Sequence, residues 1–234
     1  GLISTLGILS REKDLHIYGP VGIKDVTLLQ LKVSKSHVKF NIIFRELSSN
    51  KSEVIFENAK VIVKTIPLLH RIYTNGYLFI EKPKARNLLL DNIKQYSEIE
   101  TCDYNNIKAG KDFTLSTGEV IPNSELTIAP LPVKSYAFCS DTIYKPDIVP
   151  IIKNATILYH ETTFLKDRED LCDKTKHSTA EQAGIIAREA NVGKLIVGHF
   201  SSRYKDLNAF KTEAETVFDT VEIAVAGKKF TDKI

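Results

Sequence analysis

Histidine and acidic side chains stand at the ends of several short apolar runs in this sequence. His70 follows IPLL, Asp141 follows YAFCS and His199 follows LIVG, while the run TILY ends in His160 and Glu161. In sheet-based enzymes, functional groups gather where strands end in loops, because the sheet fixes positions that a loop alone does not. The sequence therefore predicts that several of these side chains share one cleft.

The chemistry that these residue types favour is metal-assisted hydrolysis. Neutral imidazoles and carboxylates are suitable zinc ligands, and two ions about 3.5–4 Å apart can stabilise a phosphoryl transition state. His70, Asp141 and His199 make only three ligands, however, and the chain has neither an H-x-H pair nor an H-E-x-x-H motif. The spacing alone is therefore a weak metal signal. His177 precedes a helix and can point into the same cleft, whereas His16 and the remaining histidine, at position 37, are interpreted as structural or exposed.

The elements that must position these residues alternate between strands and helices. Runs rich in β-branched and aromatic residues predict strands at 15–20, 37–46, 53–68 (with a turn near Glu57-Asn58), 76–82, 134–142, 155–162 and 194–201. Helical spacing predicts helices at 22–34 and near 88–98. A further helix is predicted to begin at an N-cap Ser178, with Glu181 completing a capping box and Gly193 as the stop. This alternation indicates an α/β domain with helices covering sheets.

The composition is that of an ordinary globular protein. The chain has 234 residues, of which 43% are hydrophobic and 26% charged, and no apolar run approaches the length of a membrane span, so no membrane partner is expected. A net charge of +3 gives no sign of nucleic-acid binding from the chain as a whole. Three widely spaced cysteines, Cys102, Cys139 and Cys172, indicate a reducing compartment, and we expect a cytoplasmic protein.

Six segments of the chain resemble one known family, and they occur in the order that the family has. They are GLISTLGILSR, IPLLHRIYTNGYLFIEK, YAFCSDT, LYHETTF, KHSTAEQAG and VGHFSSRY. The chain resembles ribonuclease Z, the tRNA 3′-processing endonuclease of the metallo-β-lactamase fold, over essentially its whole length, and HFSSRY with HST and HET upstream is a specific combination. The resemblance implies a four-layer αββα sandwich, and a zinc-dependent endoribonuclease that cleaves the 3′ trailer from precursor tRNA and leaves a 3′-hydroxyl.

The resemblance also implies a role for each of five residues. His70 binds one zinc ion, Asp141 bridges both ions and His199 binds the second, giving two Zn²⁺ per subunit in the complete protein. His177, in the HST segment, pairs with Glu161, in the segment that the family usually writes as HEAT. The acid orients the imidazole and keeps it protonated, so that it can donate to the leaving 3′-oxygen of the tRNA.

The main departure from the family lies at the front of the chain. The family's H-x-H-x-D-H loop, which supplies three histidine ligands and an aspartate that serves as general base, is expected a few residues before Gly1. We therefore expect the chain to lack the first strands and main metal loop of the fold, and to be inactive by itself. A smaller departure is Thr162, where the family usually has alanine, which leaves the Glu161–His177 pair intact. His160 is interpreted as a buttress of its loop.

An inserted segment is expected to contact the RNA. Residues 88–133 sit where the family carries an arm that grips the tRNA elbow, so that 1–87 and 134–234 form the two parts of the metallo-β-lactamase-fold domain. The family is commonly a homodimer in which the arm of one subunit serves the active site of the other. Precursor tRNA and a second copy of the chain are therefore the expected partners.

Basic residues near the start of this insert are candidates for phosphate contacts. Lys82, Lys84 and Arg86 lie in EKPKARN, after the strand that follows His70. The alternative is that EKPKARN is only a solvated charged run. Arg203 in HFSSRY either contacts phosphate or anchors its loop. RNA affinity that comes from such contacts falls as salt rises.

Two other functions fit the same residues. The first is a metallo-β-lactamase-fold hydrolase of a small phosphodiester or sulfate ester, which shares the metal ligands but has no need of an arm. The second is an inactive, truncated or metal-free protein that binds RNA or dimerises. Zinc content and the effect of deleting 88–133 would discriminate among the three.

Overall fold

A seven-stranded sheet dominates the protein, for which a computed structural model describes residues 1–231. The strands are β1 (Leu15–Pro20), β2 (Ile42–Leu47), β3 (Val54–Glu57), β4 (Val61–Pro67), β5 (Asn75–Glu81), β6 (Asn87–Leu88), β7 (Phe113–Thr114), β8 (Val120–Ile121), β9 (Thr127–Ile128), β10 (Ser135–Cys139), β11 (Ile157–Glu161), β12 (Leu195–Gly198) and β13 (Val221–Ile223). The α-helices are α1 (Leu2–Ile8), α2 (Ile23–Val33), α3 (Leu90–Ile93), α4 (Tyr104–Lys108), α5 (Asn123–Leu126), α6 (Cys172–Thr175), α7 (Ala180–Glu189) and α8 (Asn208–Glu215). Short 3₁₀ helices cover Pro146–Ile148 and Lys166–Leu171. Within residues 1–231, every helix is too short or too polar to span a bilayer.

The large sheet has the strand order β13-β12-β11-β10-β5-β4-β3. Within it β10, β11, β12 and β13 run parallel to one another, and β12 is buried along its whole length. Parallel strands buried on both faces have continuous apolar sequences, as LIVG does. Because parallel strands end at the same edge of a sheet, the loops after β10, β11 and β12 begin next to one another. β1 and β2 form a separate parallel pair.

The chain divides into two compact units. The first unit comprises 1–57, 63–79 and the chain from Ser135 onward, and the second comprises 58–62 and 80–134. The first unit contains the apolar core of the large sheet, with Leu158, Leu195 and Val197 fully buried.

The second unit has a small core of its own. Five buried residues form it: Ile93, Ile99, Ile107, Ile121 and Leu126. The buried amide of Asn123 donates to the carbonyl oxygens of Ile107 (2.7 Å) and Lys111 (2.8 Å), which satisfies backbone groups inside this unit. Local burial and hydrogen bonding therefore hold 80–134 together.

Most of the predicted elements are confirmed, but the helix predicted near 88–98 is wrong in extent. Only Leu90–Ile93 is helical, because Asn87 and Leu88 instead pair with Ile128 and Thr127 as strand β6. After α3 the chain continues in tight turns, in which the N–H of Tyr96 donates to the carbonyl of Ile93. The apolar residues that suggested a longer helix pack into the core of the second unit.

The predicted start of α7 is displaced by one residue. Thr179 is the N-cap, and its hydroxyl accepts from the N–H of Gln182 in a complete capping box, so Ser178 and Glu181 do not have the predicted roles. Ser178 is buried and its hydroxyl donates to the carbonyl oxygen of Thr142 at 2.7 Å. A competing tertiary hydrogen bond therefore decides which residue caps the helix.

The predicted stop of α7 is also wrong. The helix ends at Glu189, and Asn191 (φ 50°) takes the left-handed conformation that ends it. Gly193 has another function, since a Cβ at this position would lie 2.7 Å from the carbonyl oxygen of Thr156. This glycine permits the close approach of the chain before β12.

Gly198 ends β12 against the aromatic ring of Tyr159 in β11. A Cβ at position 198 would lie 2.5 Å from Oη and 2.7 Å from Cε2 of Tyr159, whose ring stacks on Phe138 with centroids 4.8 Å apart. Because the ring is held there, we expect Gly198→Ala to lower the free energy of unfolding by about 1–3 kcal/mol, measured by urea denaturation. In a Tyr159→Ala background most of this penalty should vanish, and an undiminished penalty there would contradict the contact.

All three cysteines are free thiols. Cys139 in β10 and Cys172 in α6 are buried, and burial raises the pKa of each thiol to about 12. Cys102, in the second unit, is exposed.

Candidate metal and catalytic site

Five of the predicted site residues come together from the end of β11 and from the loops after β4, β10, β12 and α6. Ligand atoms of Asp141, His177 and His199 all lie within 4.8 Å of one another. The ring centroid of His177 lies 5.0 Å from that of His70 and 5.2 Å from that of His199. Glu161 lies beneath this group, with its Oε1 2.7 Å from Nδ1 of His177. These five residues, which are far apart in the sequence, therefore form one cluster.

Three residues in or beside the cluster have an unusual backbone conformation. Asp141 (φ 41°), Lys176 (φ 60°) and His199 (φ 63°) all occupy the left-handed region, which is uncommon for residues other than glycine. Each stands beside or within the cluster, at the point where a strand or short helix has just ended. Such conformations persist only where the surrounding contacts fix them, and they concentrate at functional sites.

Glu161 is a fully buried carboxylate whose oxygens are all engaged. Its Oε1 accepts from the N–H of Thr142 at 3.0 Å and from His177, and its Oε2 accepts from the N–H (2.9 Å) and hydroxyl (2.8 Å) of Thr163. A buried charge is costly unless it is paired and hydrogen-bonded. The four contacts meet that requirement and fix the orientation of the carboxylate.

The pKa of His177 is raised above its ordinary value. The hydrogen bond to Glu161 is the main cause, partial burial acts against it, and the negative charges of Glu161 and Asp141 add to the rise. His177 consequently keeps its proton to a higher pH than a free imidazole does. The pair has the geometry and charge of a general acid held by a carboxylate.

His70 presents one ring nitrogen for a metal ion. Its Nδ1 lies 2.9 Å from the carbonyl oxygen of Lys176. Because a carbonyl only accepts, Nδ1 carries the proton in the neutral ring and Nε2 keeps its lone pair. Histidines that bind metals usually donate their other N–H in this way.

His199 is prepared in the same manner. Its Nδ1 lies 2.8 Å from the hydroxyl oxygen of Thr163, and its Nε2 lies 3.0 Å from Oδ1 of Asp141. When Nδ1 carries the proton of the neutral ring, Nε2 of His199 and Oδ1 of Asp141 are both acceptors, and a cation between them would satisfy both. Two imidazole nitrogens and a carboxylate are a donor set that fits a divalent ion such as zinc.

His160 takes no part in the cluster of ligand atoms. It is buried, its Nδ1 lies 2.7 Å from the carbonyl oxygen of Glu161, and burial lowers its pKa. A buried ring within β11 that contacts the backbone of its own strand is compatible with the interpretation of His160 as a buttress. His16 and His37 are both exposed, as their interpretation allowed.

The residues predicted to contact RNA lie in both units and differ in their exposure to solvent. Lys82, Lys84 and Arg86 belong to the second unit, where Lys84 is exposed and the other two are half-buried. The Nε of Arg86 donates to the hydroxyl of Thr127 at 2.6 Å, so this side chain also holds the second unit together. Arg203 is exposed in the loop after β12.

Thr163 is the site residue that the sequence analysis missed. Its hydroxyl contacts both Glu161 and His199, residues that were already singled out. Its position two residues after Glu161, at the end of the HETT segment, was the available signal. A threonine there is easily interpreted as a loop residue, since its contact with position 199 depends on the pairing of β11 with β12.

The amino-acid sequence is similar to those of known ribonucleases Z. No family model matches the chain. It is 40% identical over 224 residues to a ribonuclease Z of Bacteroides thetaiotaomicron, covering 96% of this chain and 71% of that relative. A ribonuclease Z of Cytophaga hutchinsonii is 39% identical over 231 residues, covering 98% and 73%.

Solved structures share the fold. The short form of human tRNase Z matches with a TM-score of 0.65 at 19% identity, covering 100% of this chain and 73% of that chain. The metallo-β-lactamase fold protein YhfI from Bacillus subtilis matches with a TM-score of 0.55 at 17% identity, covering 92% and 64%. The predicted metallo-β-lactamase-type α/β fold is thus confirmed.

Proposed function

The chain belongs to the ribonuclease Z family, and we propose on that basis that it acts in tRNA 3′ processing, as an endoribonuclease that removes the 3′ trailer from precursor tRNA and leaves a 3′-hydroxyl. Similarity to ribonucleases Z along nearly the whole chain supports this function. The observation that carries the proposal is the buried Glu161–His177 pair, 2.7 Å apart, beside Asp141 and His199. A hydrolase that only shared the metal ligands would not need this pair.

The metal that we propose is zinc, with two ions per subunit. His70 would bind one ion, His199 the other, and Asp141 would bridge them. The tautomers of His70 and His199, each fixed by a hydrogen bond at Nδ1, support this assignment. Bound zinc ions supply Lewis-acid stabilisation of the charge that develops on the phosphoryl oxygens.

The residues of the chain then act on the leaving group. Attack of water on the phosphorus forms one P–O bond and breaks the bond to the tRNA 3′-oxygen, and the proton that the water loses passes to bulk solvent. His177, protonated and oriented by Glu161, donates its proton to that oxygen as it leaves. The products are a tRNA with a free 3′-hydroxyl and a trailer with a 5′-phosphate. General acid catalysis of this kind contributes about 10²–10⁴-fold to a rate.

The RNA-binding part that we propose is an inserted arm at 88–133, between the domain parts 1–87 and 134–234. The independent core of the second unit supports a segment with its own structure. Lys82, Lys84 and Arg86, with Arg203, would contact phosphates. We further propose a cytoplasmic homodimer in which each arm serves the other subunit's site.

Deleting the arm tests function and specificity together. We expect the complete protein that contains this chain to cleave a precursor tRNA with a 3′ trailer. We expect a variant of it with 88–133 replaced by a short linker to lose that cleavage while still hydrolysing bis(p-nitrophenyl) phosphate. The deleted residues include the separate core of the second unit rather than that of the large sheet, so circular dichroism should show a folded variant.

The outcomes separate the competing functions. Equal loss of both activities would contradict an RNA-binding arm. A protein that hydrolyses only small phosphodiesters or sulfate esters would be the first alternative hydrolase. A protein that binds RNA but does not bind zinc and does not cleave the precursor would be the second alternative, an inactive binding protein.

A further inference from the structure

We propose that Thr163 is a positioning residue that joins the acid–imidazole pair to the metal-ligand side of the site. Its hydroxyl lies 2.8 Å from Oε2 of Glu161 and 2.8 Å from Nδ1 of His199. One buried carboxylate therefore orients two histidines, His177 directly and His199 through this hydroxyl. The inference rests on the proposed function for its catalytic meaning, but the geometry that carries it does not depend on the substrate.

The direction of each hydrogen bond follows from the donors available. The threonine hydroxyl has a single hydrogen, and the carboxylate of Glu161 is acceptor-only when ionised, so the hydroxyl donates to Oε2. The hydroxyl oxygen must then accept from Nδ1–H of His199. This fixes the His199 tautomer in which Nε2, 3.0 Å from Oδ1 of Asp141, keeps its lone pair for a ligand.

The backbone around Thr163 holds the hydroxyl in place. The N–H of Thr163 also donates to Oε2 of Glu161 at 2.9 Å, and its carbonyl accepts from the N–H of Ser201 at 3.1 Å. The N–H of Thr162 donates to the carbonyl of Gly198 at 2.7 Å. The segments on either side of His199 are therefore bonded to the segment that carries Thr163, whose residue surface is only 8% exposed.

The same carboxylate also reaches the loop of Asp141. The N–H of Thr142 donates to Oε1 of Glu161 at 3.0 Å, and Thr142 is fully buried. Glu161 thus connects the loops after β10 and β12 as well as the start of α7. Among residues 1–231, Thr163 is the only side chain that lies within hydrogen-bond distance of both the Glu161 carboxylate and the His199 ring.

Thr163→Val and Thr163→Ser are matched variants that separate the hydroxyl from the shape of the side chain. Valine keeps the β-branched form and removes the acceptor for His199, whereas serine keeps the hydroxyl. We expect Thr163→Val to lower the affinity of the chain for Zn²⁺ alone by about 10–100-fold, as losses of outer-shell partners do, and Thr163→Ser to stay close to the unmodified protein. The affinity is measured by competition with a chromophoric chelator.

A second measurement does not involve metal or activity. In the metal-free Asp141→Asn protein, where the side-chain amide can donate to Nε2 of His199, ¹⁵N shifts of the His199 imidazole at alkaline pH should report the Nδ1–H tautomer. This tautomer should lose its dominance when Thr163→Val is added but not when Thr163→Ser is added. Thr163→Ala, which also removes the hydroxyl, replaces the valine variant if valine does not fold. Equal Zn²⁺ affinity and an unchanged tautomer in the hydroxyl-free variant, or equal losses in the serine variant, would overturn the proposal.

Cleavage assays distinguish this proposal from the proposed function. If precursor tRNA is the substrate, Thr163→Val should lower kcat with KM nearly unchanged, because the hydroxyl touches the ligands and not the arm. If the complete protein that contains this chain does not cleave precursor tRNA, the proposed function fails. The tautomer and Zn²⁺ results would still decide the role of Thr163.

Discussion

Replacing His177 by alanine is expected to lower kcat for precursor-tRNA cleavage by about 10²–10⁴-fold, with little change in KM. The reason is that, in the proposed reaction, the imidazole of His177, 2.7 Å from the buried carboxylate of Glu161, supplies the proton that the 3′-oxygen needs as it leaves. Single-turnover cleavage of a labelled precursor measures the effect. His16→Ala, which changes an exposed histidine, is the control and should be without effect.

A substrate with a different leaving group tests whether His177 acts as the general acid. A p-nitrophenolate leaves without protonation, so hydrolysis of bis(p-nitrophenyl) phosphate should lose far less in His177→Ala than cleavage of RNA does. If both substrates lost activity equally, His177 would be a structural or metal-binding residue and not the general acid.

The pH profile provides a further check on the same pair. Because Glu161 raises the pKa of His177, the acid form persists to higher pH, and activity that requires this form is lost as the pH rises through the raised pKa. Glu161→Gln removes the charge that stabilises the imidazolium, so the alkaline limb of the profile should move to lower pH. If the alkaline limb stayed at the same pH in Glu161→Gln, the pH dependence would not arise from His177.

The second large effect is expected at Asp141. Asp141→Asn should reduce Zn²⁺ bound after dialysis and should lower precursor cleavage by at least the roughly 10–100-fold that loss of a mere outer-shell partner causes. An amide oxygen ligates zinc far less well than a carboxylate does. Oδ1 of Asp141 lies 3.0 Å from Nε2 of His199, so the substitution would weaken the carboxylate side of a site that the two residues would share. Elemental analysis of the dialysed protein measures the metal.

The substitution at Asp141 is a mild one for the backbone. Asp141 has φ 41°, and asparagine tolerates the left-handed region as readily as aspartate does. Asp147→Asn is the matched control, because Asp147 is an exposed acid whose ion pair with Lys145 spans 3.6 Å at the surface. Full zinc occupancy in Asp141→Asn would remove this residue from the ligand set.

The sequence could predict the strands and the residues at their ends, because both depend on local pattern. LIVG followed by His199 indicates a buried strand that delivers an imidazole, and the parallel arrangement of β10, β11 and β12 then places Asp141, Glu161 and His199 at one edge. The family resemblance supplied the roles, which the residue types by themselves left open.

Other features could not be predicted, because tertiary contacts decide them. Ser178 is as good an N-cap as Thr179 by local preference, but its hydroxyl is taken by the carbonyl of Thr142. The bridging hydroxyl of Thr163 depends in the same way on the register of β11 and β12. Residues 88–98 have helical spacing, yet pairing of Leu88 with Thr127 leaves only a single turn of helix.

The three thiols give the molecule a natural attachment point for probes. Alkylating dyes react with thiolates, which Cys139 and Cys172 do not form near neutral pH because burial raises the pKa of both to about 12. Cys102 is solvent-accessible and lies in the second unit. A maleimide fluorophore can therefore be directed to that unit in the unmutated protein, to report by anisotropy when nucleic acid docks.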